Sequence, residues 1–198
     1  VRKSGGVCIA DEVQVGFGRV GDAFWVFELQ DAGPDIIVLG KRIGNGHPLA
    51  AVIVTNEIAD AFNNGLEYFN TFGGNPVSMT TGLAVLDVIQ EEEMQEHAKE
   101  VGNHLMDGLR KLMEKYPIIS DVRGHGLFIG AEMVKDRITM EPAIPEIDIV
   151  VEKMKEKGYL LSTDGPLHNV LKIKPPMPFN KQNADEMVLF LDVILSEI

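Results

Sequence analysis

Only one cysteine, Cys8, stands among the 198 residues. No disulfide can therefore form within the chain, and a small disulfide-stapled fold is excluded. Cys8 lies in the apolar run from Gly6 to Ala10, where a thiol reads as core rather than nucleophile. Its isolation favours a reducing compartment, the cytoplasm or another such as the mitochondrial matrix. Long apolar runs are also missing. The longest, Leu49 to Val54 and Ile36 to Leu39, fall far short of the ~20 residues that span a bilayer, so no membrane partner is expected. Positive charge is scarce, with 18 Lys and Arg against 30 Asp and Glu and a formal net charge of −12. That balance argues against a general nucleic-acid surface. The histidines, His47, His97, His104, His125 and His168, are scattered with no cysteine or acid at ligand spacing, and no metal site is expected. The opening Val1-Arg2-Lys3 shows no initiator methionine, signal peptide or transit peptide, so the chain is expected to begin inside a longer protein. What is present is ample for a core: 45% hydrophobic and 24% charged residues describe one large domain or two small ones.

Short apolar runs dominate the first part. Gly6 to Ala10 ends abruptly at Asp11-Glu12, Ile36 to Leu39 runs through Gly40 into Lys41, and Leu49 to Thr55 makes a third run. Continuous apolar runs closed by charged residues predict buried strands of a thin parallel sheet with polar groups at the strand ends. From Pro76 to Gln90 the spacing of Met79, Gly82, Leu83, Leu86 and Ile89 predicts a helix with those residues inward. Met94, Val101, Leu105, Leu109 and Leu112 predict a second one up to Tyr116. Beyond it the pattern gives strands around a glycine-rich turn in 121–133, a helix over 147–157 ending at Gly158, short strands at 159–162 and 170–173, and a last helix capped by Asn180. The expected organisation is an α/β fold in two parts: 1–91 as part of an open α/β domain, and 92–198 as a smaller α+β domain.

Open α/β sheets bind ligands beyond the carboxyl ends of their strands. Asp11 and Lys41 fall at two such ends. A lysine that sheds its proton can attack a carbonyl as a nucleophile, and a carboxylate opposite a pyridine nitrogen keeps that nitrogen protonated. The same two residues also read as a structural ion pair or as solvated strand ends. Gly16-Phe17-Gly18-Arg19-Val20-Gly21 matches G-x-G-x-x-G. A dinucleotide site needs that turn to lead straight from a strand into a helix, and the strand ends too early at Asp11. Gly44-Asn45-Gly46-His47-Pro48 reads as a tight turn with His47 as a turn residue. The segment Asn70-Thr71-Phe72-Gly73-Gly74-Asn75 precedes a helix and reads either as a phosphate cradle or as ordinary capping.

Taken together these segments resemble the class-III, pyridoxal-phosphate-dependent aminotransferases of fold type I. The resemblance rests on Asp11 to Arg19, on Pro34 to Lys41 with Gly44 to Pro48, on Thr71 to Pro76 and on Arg123-Gly124-His125-Gly126-Leu127, in that order along the chain. It implies the C-terminal part of such an enzyme, with 1–91 from the cofactor-binding large domain and 92–198 as the small domain. Its cofactor would be pyridoxal 5'-phosphate. Lys41 would form the Schiff base and move the substrate proton. Asp11 would pair with the pyridinium nitrogen, Val13 would pack on one ring face, and Gln14 would bond near the phenolic oxygen. Thr71 would reach the cofactor phosphate of a second subunit in a homodimer. The glycine-rich phosphate cup and the stacking aromatic of the family would lie before this segment.

Leu160 to Pro166 with Asn169 to Met177 is similar to the phospho-lyase branch, whose members act on phosphoethanolamine or 5-phosphohydroxylysine and include alanine–glyoxylate aminotransferase 2-like proteins. Many class-III relatives carry an arginine where Lys172 stands. A lysine is a point charge, suited to a phosphate or to a structural role rather than to bidentate grip on a carboxylate. Lys172 and Lys174, which alternation puts on one strand face, are the candidate substrate residues together with Arg123. The resemblance thus implies a phospho-lyase releasing aldehyde, ammonia and phosphate from a phosphorylated amine. A transaminase moving an amino group to a keto acid is the alternative. A reading of another class is an incomplete, inactive segment serving dimer assembly.

Overall fold

The computed structural model describes residues 1–198. The chain divides into two compact units: Val1–Gly18 with Ala23–Gln95, and Arg19–Asp22 with Glu96–Ile198.

In the first unit, β1 (Ile9–Asp11), β2 (Ile36–Leu39) and β3 (Ala51–Val54) form a sheet in that order. β1 runs parallel to β2, with Ile9 opposite Ile36 and Asp11 opposite Val38. β3 is antiparallel to β2, with Leu39 opposite Ala51, which corrects the expectation of an all-parallel sheet. The connection from Gly40 to Ala50 holds only a 3-10 turn, Lys41–Gly44, and a parallel return requires a longer crossover. β1 is also less buried than its apolar composition suggests. It is an edge strand, and Val7 and Ile9 are exposed.

Helix α1 (Asn56–Phe62) follows β3, and α2 (Pro76–Glu91) starts from Asn75, whose side chain accepts from the Ser78 amide at 2.9 Å. Proline at the first helical position fits this start, because its missing N–H would have had no partner there. The inward residues of α2 are Ser78 and Gly82, while Met79, Leu83 and Leu86 face out. Helical spacing foresaw one apolar stripe; the structure turns mostly the small residues inward and leaves the large ones uncovered.

The second unit carries the main core. α3 (Met94–Lys115) buries Ala98, Val101, Leu105, Leu109 and Leu112 along one face. β4 (Ile119–His125) and β5 (Phe128–Asp136) form an antiparallel hairpin. A short β6 (Glu141–Pro142) pairs with β5. α4 (Ile144–Glu156) is followed by β7 (Ser162–Asp164) and β8 (Val170–Ile173), which extend the sheet to the order β4-β5-β8-β7. α5 (Lys181–Leu195) starts from an Asn180 capping box closed by Asn183. Alternation along β8 sends Leu171 and Ile173 into the core with Ile129, Ala131, Met154 and Met187, and turns Lys172 to the opposite face.

We predict that Leu105→Ala, which empties a fully buried site, costs about 3 kcal/mol. Leu160→Ala, at a side chain 84% exposed, should change stability by less than about 0.5 kcal/mol. Denaturant midpoints of the two variants provide the check.

Candidate active site

Parallel pairing sets the geometry of the first unit. Asp11 ends β1 opposite Val38, and Lys41 follows that residue by three positions, just past the end of β2, as the first residue of the 3-10 turn Lys41–Gly44. Both therefore leave the sheet at its carboxyl end. Asp11 Oδ1 accepts from the Val13 amide at 3.1 Å, a local turn that holds the carboxylate in place and leaves Oδ2 without an intramolecular partner. Val13 faces Gly40, where an added Cβ would stand 3.6 Å from a Val13 methyl. That contact joins the segment after Asp11 to the residue before Lys41. Lys41 itself is exposed, makes no ion pair, and holds φ 51°. Left-handed backbone at a long-chain residue is strained by about 1–2 kcal/mol, and such strain accumulates where a side chain must be aimed.

The loop after Lys41 is docked on α2. His47 Nε2 and Ser78 Oγ share a hydrogen bond of 2.7 Å, and Asn75 Nδ2 donates to the same hydroxyl at 2.9 Å. Ser78 is buried. His47 is thus a turn residue, as its place before Pro48 suggested, and it also fastens the lysine loop to the helix start.

On the other side of Asp11, Glu12 is buried. Its Oε2 accepts from the Val26 amide at 3.0 Å and its Oε1 from the Phe27 amide at 2.9 Å. One carboxylate thereby closes the long β1–β2 connection over an aromatic cluster of Phe17, Phe24, Trp25 and Phe27. Neighbouring acids on a strand end point to opposite sides, so one faces outward and its neighbour works as a structural acceptor. That alternation was the only signal in the sequence for Glu12. No helix follows the glycines at 16, 18 and 21; the next element is a 3-10 turn, Val26–Gln30.

Gln14 is half-buried, within the same turn as Val13. Thr71 is exposed in the loop before α2, and no hydrogen bond or ion pair joins it to Asp11 or Lys41. In that loop Asn70 Oδ1 accepts from the amides of Phe72 and Gly73.

The three candidate substrate residues lie in the second unit, Arg123 and Lys172 on one sheet face and Lys174 just past the end of β8. Arg123 and Lys172 both stand opposite Gly130, one from each side, and Lys174 follows Lys172 by two. Each of the first two is already paired. Arg123 Nη1 lies 2.6 Å from Asp121 and 2.7 Å from Glu132, bonds that raise its pKa, Asp121 foremost. Lys172 Nζ lies 2.7 Å from Asp164, and this bond, followed by that from the Gly165 amide, holds the Asp164 carboxyl below its ordinary value. These acids came from no sequence signal beyond their place in the strands. No group of three or more His, Cys, Asp or Glu residues is gathered where it could hold a metal, and no helix is long and apolar enough to cross a membrane.

A primary amine without a counter-ion and a carboxylate with a free oxygen, both at the carboxyl end of paired parallel strands, suit an aromatic aldehyde with a basic ring nitrogen. The donor set of the first unit therefore fits pyridoxal phosphate at its carbonyl and its ring nitrogen.

The comparisons agree with that chemistry. The model of the family described as aminotransferase class-III matches residues 1–195. A Drosophila melanogaster protein named alanine–glyoxylate aminotransferase 2-like is 52% identical over 191 residues, which are 96% of this chain and 39% of the relative. The structure of an Arthrobacter phospholyase in complex with phosphoethanolamine superposes with a TM-score of 0.95 at 38% identity, covering 100% of this chain and 47% of that one. The pyridoxal-phosphate-bound amine transaminase from an uncultivated Pseudomonas species gives 0.87 at 32% identity, over 99% and 46%. The chain thus spans less than half the length of these relatives.

Strain at Lys41 has a measurable consequence. Lys41→Gly should be more stable than Lys41→Ala by about 1 kcal/mol, since glycine accepts φ 51° freely and alanine does not. Paired chemical denaturation curves would show it; equal midpoints would mean that the left-handed conformation carries no strain.

Proposed function

The chain belongs to the class-III aminotransferase family, and from that premise we propose that it forms the C-terminal part of a phospho-lyase acting on a phosphorylated primary amine. Residues 1–91 would come from the cofactor-binding domain and 92–198 would be the small domain. The observation that carries the proposal is the placement of Asp11 and Lys41 at the ends of neighbouring parallel strands, together with a lysine at position 172 on the polar face of the second sheet.

Pyridoxal phosphate, when bound, supplies an electron sink for a carbanion next to nitrogen. Asp11 would hold a proton on the ring nitrogen, with Oδ2 free to accept it and Oδ1 anchored on the Val13 amide. Val13 would exclude water from one ring face, and Gln14 would orient the ring through its oxygen. Lys41 would hold the cofactor at its carbonyl end, and its amine would move the proton of the substrate carbon beside nitrogen. Its left-handed backbone and the His47–Ser78 bond, which fastens the loop after it, would restrict where its amine can reach. Arg123, Lys172 and Lys174 would face the acidic end of the substrate. Removal of that proton with loss of phosphate from the adjacent carbon and addition of water would leave an aldehyde, ammonia and inorganic phosphate as products.

Exposed apolar residues support a second copy as partner. Phe69, Phe72 and Leu83 are 77%, 80% and 62% exposed, and they lie next to Thr71 or on the helix that follows it. A homodimer covering this surface would bring Thr71 to the cofactor phosphate of the other subunit. The remainder of the full-length polypeptide would cover the edge strand β1. A reducing compartment, cytoplasmic or mitochondrial, is consistent with the lone Cys8.

Transaminase chemistry shares these residues and differs in its products, so the products decide. We predict that the full-length holoenzyme releases inorganic phosphate and ammonia in equal amounts from phosphoethanolamine without a keto acid. Lys41→Ala should lower that rate by about 10³-fold or more. Amino transfer to a keto acid with no phosphate released would refute the lyase assignment and leave the transaminase.

A further inference from the structure

Arg19 is the least expected buried charge in the molecule. Its residue is 6% exposed, it makes no ion pair, and its Nε is enclosed without a partner. Loss of water lowers its pKa to about 10. A guanidinium kept in such surroundings costs stability unless its bonds do something an apolar side chain would not.

Those bonds have a definite place. Arg19 Nη1 donates to the carbonyls of Leu127, at 3.0 Å, and Pro175, at 2.6 Å. The Leu127 amide donates back to the Arg19 carbonyl at 3.0 Å. In the ladder between β5 and β8, Ile129 stands opposite Ile173. Two residues further out on each strand, the same register sets Leu127 opposite Pro175. Proline has no N–H and cannot complete a ladder pair there. Arg19 serves in its stead: its side chain supplies the donor that proline lacks, and its carbonyl takes the Leu127 amide. Gly126 lets this happen, because a Cβ at that position would come within 2.5 Å of the Arg19 carbonyl oxygen.

We propose that Arg19 is a positioning residue for the acidic group of the substrate. As the last rung of the β5–β8 ladder it fixes the strand that carries Lys172 and Lys174, and so fixes where those two ammonium groups stand. This rests on the reading of their sheet face as the acid-recognising one. Lys172 lies within the paired stretch, opposite Gly130, and Lys174 directly precedes the clamped Pro175. Without the rung, the end of β8 is free to fray and the two cations lose their fixed spacing.

The test uses the full-length holoenzyme and calorimetric dissociation constants for two probes, phosphoethanolamine and ethanolamine. Arg19→Met should weaken phosphoethanolamine about tenfold and leave ethanolamine within about twofold. Arg19→Lys should fall between, because one ammonium on a flexible stem replaces the planar fork poorly; it also carries the test if the Met variant does not fold. A general packing defect would weaken both probes alike, and that result, or unchanged binding of phosphoethanolamine, overturns the proposal. Lys172→Gln is measured in parallel. If it abolishes the preference for phosphoethanolamine while the Arg19 variants keep it, only the role of Arg19 falls. If it keeps the preference, the reading of the sheet face falls and the proposal with it.

Discussion

Parallel pairing of β1 with β2 is the constraint from which the site follows: it makes two strands distant in sequence end on the same side, and so brings Asp11 and Lys41 to the same end of the sheet. An antiparallel pairing of the same strands would have sent them to opposite ends. Everything around the pair holds that arrangement. Glu12 closes the connection between the strands, Val13 meets Gly40, and His47 ties the lysine loop to α2 through Ser78. The strained backbone at Lys41 is tolerated because both sides of it are fixed. Chemistry that needs an unpaired amine and a half-satisfied carboxylate is thereby built from otherwise ordinary strand ends.

The second unit contributes by a different principle. Its sheet sorts residues by alternation, sending Leu171 and Ile173 to the core and Lys172 to the far face. Arg123 and Lys172 flank Gly130 from the two neighbouring strands, and a Cβ at that glycine would come within 2.9 Å of a Val170 methyl. Their acid partners, Asp121, Glu132 and Asp164, hold both cations at defined angles.

Much of this was legible in the sequence where a local pattern sufficed. Apolar runs closed by Asp11 and by Lys41 marked the two strand ends, and Asn180 marked the start of α5 with its capping box. The strand 170–173 and the long amphipathic helix from Met94 emerged as their periodicity implied. Patterns failed where long-range contacts decide. The sense of β3 depended on the shortness of its connection, not on its composition. The outward face of α2, with Leu83 and Leu86 exposed, follows from which residues find a partner surface in this chain. Glu12 and Arg19 sit in a loop of glycines and aromatics; their roles rest on carbonyls and amides that come from elsewhere in the fold, including one at position 175. Arg123 and Lys172 could be named individually, but their meeting on one face across Gly130 required the register.

The central claim is that Lys41 and Asp11 form a lysine–carboxylate pair fitted to pyridoxal phosphate. The most direct measurement is to add pyridoxal phosphate to the full-length protein, reduce with borohydride and map the modified peptide by mass spectrometry. The account predicts one equivalent of label, confined to Lys41, and its loss of selectivity in Asp11→Asn. Label spread over the surface lysines, or concentrated on any lysine other than Lys41, would contradict it.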